Sequence, residues 1–140
     1  MAKTCTVELT VKLPEVTSAQ LNALDDLIRR TAFLVMVHAV YSMTGPKSGR
    51  IYRRGKRGNI LHQASAPGEP PAIDTGALAN SIKPVWLDNF LVRVAVHSYY
   101  GVFLEFGTKR MAARPFLRPA VQAVAPRFQQ GIAQAMSKRR

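Results

Sequence analysis

Nine of the ten residues from Ala32 to Tyr41 are apolar, with His38 the exception. They form the second half of a helix whose ends are marked in the sequence. Thr17 and Gln20 make a T-x-x-Q capping box ahead of Ser18, and Gly45-Pro46 stops the helix near Met43. In the first half Leu21, Leu24 and Ile28 fall inward, and Asn22, Asp25, Asp26 and Arg29 fall outward. The second half has no polar side. An all-round apolar helix needs cover on every side, and a chain of 140 residues has little to spare for it. Phe33, Val37, Val40 and Tyr41 are therefore expected at a subunit interface; the alternative is a helix crossing the centre of one core. His38 reads as a hydrogen-bonded core or interface histidine rather than a ligand.

The rest of the chain supplies a small sheet and a second long helix. Val7, Leu9, Val11 and Leu13 alternate with Thr6, Glu8, Thr10 and Lys12, a half-buried strand over 4–13 that Pro14 ends. Cys5 shares the apolar side and reads as a small hydrophobe. Asp74-Thr75-Gly76 opens a short helix to Ser81, with Asp74 or Thr75 as its cap. A hairpin follows, with strands over 82–87 and 90–98 and its turn at Asp88-Asn89. Pro84 suits an edge strand, Trp86 reads as packing material and His97 as surface. Residues 99–106 suit a short aromatic helix closed by Gly107. The last helix is expected from about Pro119 to Ser137, kinked at Pro126 and weakened at Gly131, with a basic tail at 138–140. The fold class is α+β: a small antiparallel sheet packed against a long helix, plus a C-terminal helix and a long basic loop, in a single domain over 1–140.

That loop is the 31 residues from 44 to 74. Lys47, Arg50, Arg53, Arg54, Lys56 and Arg57 occur in it before any acid, and five glycines and four prolines interrupt it. Loops of that length are functional or disordered, so it is expected to act as an arm reaching beyond its own domain. The whole chain carries 20 Lys+Arg against 8 Asp+Glu, a net charge of +12. Such a surplus calls for a polyanion or an acidic protein surface, and charge alone does not choose between them. Tyr52 is the arm's sole aromatic, a poor basis for stacking on single strands.

Several function classes are excluded. With 47% hydrophobic residues the chain is not wholly disordered. One cysteine and three scattered histidines make neither a disulfide scaffold nor a metal centre. No apolar run spans a bilayer, and Met1-Ala2-Lys3-Thr4 leads into a strand pattern rather than a signal-peptide core, so a cytosolic compartment is expected. Gly45-Pro46-Lys47-Ser48 lacks the glycines of a phosphate loop. The few acids are too scattered for a metal-dependent nuclease. No catalytic residue, cofactor or metal is expected.

Two blocks carry a family resemblance. The first is His62-Gln63-Ala64-Ser65-Ala66-Pro67-Gly68-Glu69-Pro70-Pro71-Ala72-Ile73-Asp74-Thr75-Gly76-Ala77-Leu78-Ala79-Asn80-Ser81-Ile82. The second is Tyr100-Gly101-Val102-Phe103-Leu104-Glu105-Phe106-Gly107-Thr108, then Met111-Ala112-Ala113-Arg114-Pro115-Phe116-Leu117-Arg118-Pro119-Ala120. Their order and separation resemble the small head–tail joining proteins of tailed phages and prophages, the neck or tail-completion proteins. The likeness extends to the two long helices, although Pro126 departs from the family's more regular final helix.

The resemblance implies a non-enzymatic virion protein, assembled in the bacterial cytoplasm. It would form a ring at the neck or upper tail, joining the DNA-filled head to the tail around the DNA channel. Its partners would be copies of itself, head-connector and tail proteins, and the phosphate backbone of duplex DNA if the arm faces the channel. Pro70, Asp74, Thr75, Gly76, Glu105, Gly107, Arg114, Pro115 and Phe116 are the matching motif positions. Charge and proximity suggest that Arg114 pairs with Glu105. The competing readings are a basic, sequence-independent nucleic-acid-binding module and a small nuclease or toxin.

Overall fold

The computed structural model describes residues 5–11 and 16–137. The elements in chain order are β1 (Cys5–Thr10), α1 (Ser18–Thr44), β2 (Ile51–Arg54), β3 (Ile60–Gln63), α2 (Ala77–Ser81), β4 (Ile82–Asp88), β5 (Leu91–Val96), α3 (Gly101–Phe106) and α4 (Leu117–Ser137). The architecture is α+β. An antiparallel sheet of order β1-β5-β4 carries the long helix, and β2 and β3 make a separate ribbon. Leu13, Pro14 and the basic tail lie outside the described residues.

The capping box starts α1 as its sequence requires. The Thr17 side chain accepts from the Gln20 amide, and the Gln20 side chain accepts from the Thr17 amide at 3.0 Å. Gln20 also donates to the Met136 carbonyl at 3.1 Å, which ties the start of α1 to the end of α4. Ile28, Ala32, Val35, Ala39 and Met43 recur every three or four residues and share one buried cluster with Val92, Val94 and Val96 of β5. Leu117, Ala120 and Val124 of α4 complete it. Each large side chain buried there contributes about 1.5–3 kcal/mol. Gly131 is the close-approach point of the two helices, since a Cβ there would stand 2.5 Å from Leu27 Cδ1. What reads as a weak spot in α4 is the residue that lets α1 approach.

Val92, Val94 and Val96 face inward on the central strand, and Pro84 lies on the edge strand β4, which tolerates its missing N–H. Cross-strand pairing of Asp88 with Leu91 puts the turn at Asn89-Phe90, one residue later than expected. Phe90 adopts φ 62° there, rare for a bulky residue, and packs against the core. Trp86 is not interior packing: it is 48% exposed, and the Arg29 guanidinium lies 4.7 Å from its ring centroid. His38 is exposed rather than buried. Pro126 sits at an exposed position inside α4, and the helix runs on through it.

Candidate functional site

The arm is not an irregular loop. Ile51-Tyr52-Arg53-Arg54 pairs antiparallel with Ile60-Leu61-His62-Gln63. The glycines supply the turn between them, with Gly55 at φ 87° and Gly58 at φ 60°. Pairing continues to the root, where Gly49 N–H donates to the Ala64 carbonyl at 3.1 Å and Ala64 N–H to the Arg50 carbonyl at 3.0 Å. At about 3.4 Å per residue, the seven steps from Gly49 to Lys56 carry the tip roughly 24 Å from the root. A sequence signal for this existed: two short runs with β-branched and aromatic residues flank a Gly-Lys-Arg-Gly-Asn turn.

Register assigns the ribbon two faces. Tyr52, Arg54, Ile60 and His62 share the face that meets the body. Arg54 pairs with Asp74, and His62 Nδ1 lies 3.9 Å from the other Asp74 oxygen. Asp74 therefore latches the arm and does not cap α2; the residue at that cap is Gly76, at φ 78°. The Thr75 hydroxyl accepts from the Ala77 amide at 3.4 Å. Ile51, Arg53, Leu61 and Gln63 make the outer face, where Ile51 and Leu61 are exposed. Lys56 and Arg57 sit in the exposed turn, and Arg50 lies over the Tyr52 ring at 5.5 Å. Among the described residues no carboxylate pairs with Arg50, Arg53, Lys56 or Arg57. Lys47 belongs to the root instead: its Nζ donates to the Ser42 carbonyl at 2.8 Å at the end of α1.

Two carboxylates serve backbone amides, Glu69 at the base of the arm and Glu105 at the start of α4. Glu69 accepts from the Ser48 hydroxyl, the Ser48 amide at 3.1 Å and the Ala66 amide at 2.8 Å. These hydrogen bonds, the Ser48 hydroxyl first, lower its pKa to about 2. Glu105 does not pair with Arg114. It is buried and accepts from the first amides of α4: Phe116 at 2.9 Å, Leu117 at 3.0 Å and Arg118 at 2.8 Å. A carboxylate at a helix N-terminus satisfies orphan donors and complements the helix dipole. It also explains why α4 starts at Leu117, two residues before Pro119. Cys5 is buried nearby; burial first, then the Glu105 charge, pushes its thiol up to about 11.

Arg114 turns the other way. Its Nε donates to the Ser65 carbonyl at 3.2 Å, and its amide donates to the Leu104 carbonyl at 2.7 Å. Gly68 N–H reaches the Ala113 carbonyl at 2.9 Å. The two sequence blocks thus fold onto one another, and the arm is seated on their junction. Pro70 and the buried Pro71 line the way back to Asp74. Pro115 precedes Phe116, which is fully buried. Gly107 is held at φ 76°, ψ −178°, a conformation open essentially to glycine alone.

Between the ribbon and the body lies a cleft of about 450 Å³, lined by Tyr52 and His62 of the ribbon and by Asp74, Leu78, Tyr100 and Arg114. Among the described residues no group of three His, Cys, Asp or Glu could hold a metal ion, and no helix is long and apolar enough to cross a membrane. On α1, Phe33, Val37 and Tyr41 are exposed, at 55%, 41% and 75%. Val40 is partly buried against the chain's own core, so it leaves the expected interface set. No family model, curated protein or solved structure matches this chain.

Proposed function

We propose that this chain is a structural subunit of a tailed-phage virion. Copies would form a ring at the neck or upper tail, joining the DNA-filled head to the tail around the DNA channel. The observation that carries the reading is the bare ridge Phe33, Val37 and Tyr41, directly opposite the buried row of α1. A ridge of that kind on a long, central helix suits contact between copies. The seated arm supports it. A two-stranded ribbon is marginal alone, and this one presents Ile51, Leu61 and unpaired cations to a neighbour. The two resembling blocks build the seat that aims it.

The arm's partner in this reading is an acidic patch on an adjoining ring. The second reading, contact with the phosphate backbone of duplex DNA, draws on Arg53, Lys56 and Arg57 having no carboxylate partner among the described residues. Replacing 51–63 with a short glycine linker tests the first reading, because Gly49 and Ala64 already adjoin. The expected result is a folded subunit with full heads and unattached tails; normal virions would refute the arm's role in joining. Imaging of an intact neck without this chain would refute the function itself. Duplex affinity that collapses with salt and with the same deletion would favour the second reading.

A further inference from the structure

The ribbon is held lightly along its length. Every residue of β2 is exposed, and in β3 His62 alone is half-buried. The two strands pack on each other and far less on any helix or on the main sheet. Among the described residues, Asp74 is the one polar tie from 51–63 to the body: it takes Arg54 and stands 3.9 Å from His62 Nδ1. The Arg54 and Asp74 side chains are 52% and 37% exposed. The cleft of about 450 Å³ between ribbon and body leaves the seat unpacked. A segment with so few buried apolar contacts belongs to the least stable part of a fold.

The root, by contrast, is firm. Glu69 clasps Ser48 and Ala66, and Arg114 holds the Ser65 carbonyl. Gly49 and Ala64 pair just above. We propose that Asp74 is a latch with two states. In the seated state it holds Arg54 against the body. In the released state the ribbon pivots at its root and opens both faces, Arg54 on one and Arg53 on the other, to an acidic protein surface whose carboxylates replace Asp74. This rests on the joining role proposed above and adds its regulation, because the chain's own carboxylate competes with the partner's. The seat itself displays the chemistry: Arg54 is met by a carboxylate, and Arg53, Lys56 and Arg57 have none among the described residues. An exposed ion pair shifts an equilibrium about two- to fivefold, so the latch biases the ribbon without locking it. Affinity for the partner is then reduced by the fraction of chains that is released.

The test uses the full chain with Cys5→Ala, so that introduced thiols are the sole ones. Spin labels on Lys56→Cys in the exposed turn and Gln122→Cys on the exposed side of α4 report the ribbon's position by pulsed electron resonance. The parent should give one main distance and a minor broad component. Asp74→Asn should enlarge that component about two- to fivefold. In the unlabelled chain it should raise affinity for poly-L-glutamate by up to the same factor. Asp26→Asn removes the same charge from an exposed position on α1 and should leave both unchanged. Arg54→Asp combined with Asp74→Arg should restore the main distance. A distribution that Asp74→Asn leaves unchanged would overturn the latch, as would equal broadening by Asp26→Asn or a parent that is already broad. A released ribbon with no gain on polyglutamate would overturn the competition, and a gain on duplex DNA alone would overturn the acidic partner in favour of phosphate. The joining role stands or falls separately, with virions lacking 51–63 and with the neck image.

Discussion

Glu105 offers the sharpest test of how the chain is built. Its carboxylate takes three backbone N–H groups at 2.8–3.0 Å, those of Phe116 and Leu117 fully buried. In Glu105→Ala those donors lose their acceptor. An unsatisfied buried donor costs about 1–3 kcal/mol, and loss of the anion from the helix N-terminus costs up to about 2 kcal/mol in a buried setting. Two buried donors plus the dipole contribution give about 4–6 kcal/mol, much of the 5–15 kcal/mol that stabilises an ordinary domain. At about 3–4 °C per kcal/mol for a chain of this size, the melting temperature should fall by about 12–24 °C. Glu105→Gln keeps the shape, one acceptor oxygen and no charge, and should lose about half as much. Differential scanning calorimetry on the purified chain measures both. A Glu105→Ala protein melting within about 2 °C of the parent would refute the assignment, as would Glu105→Gln proving worse than Glu105→Ala.

Gly107→Ala should destabilise by about 2–3 kcal/mol in urea titration, because a Cβ there stands 2.8 Å from the Ala113 amide and 2.9 Å from the Met111 carbonyl, both backbone groups. Glu69 has its pKa depressed in the folded state, so the clasp at the arm's root is complete above its unfolded value near 4.5 and is lost as pH falls towards about 2. The amide resonances of Ser48 and Ala66 should titrate with a midpoint near 2, moving upward in Ser48→Ala; a midpoint near 4.5 in the parent would remove the clasp. Cys5, with its thiol held at about 11, should resist a thiol reagent at pH 8 until the protein is denatured, and rapid native labelling would contradict its buried position.

Local chemistry made much of this fold legible. The T-x-x-Q box, the alternation at Val7 and Leu9, the edge proline and Gly107 each state their role within a few residues. What stayed hidden depends on distant partners. Nothing local reveals that Glu105 serves amides eleven to thirteen positions later, or that Asp74 turns from α2 to Arg54. Arg114 and Glu105 are close in the chain and opposite in charge, yet the α4 amides outbid the guanidinium because they have no other acceptor. The basic ribbon was obscured for another reason. Glycines and arginines mark it as irregular, and the four-residue strands are too short to show alternation. For the site, the apolar stretch of α1 could be read from composition, whereas which of its residues stay outside needed the sheet and α4 in place, as Val40 shows.

The adjoining positions of Gly49 and Ala64 make the arm an insert with a single point of entry and exit. Such an insert can grow or shrink by matched residues in both strands while the body keeps its packing. Adding two residues to each strand moves the tip about 7 Å and returns every side chain to its former face. One body could therefore carry the ribbon tip to different reach by editing ribbon length alone.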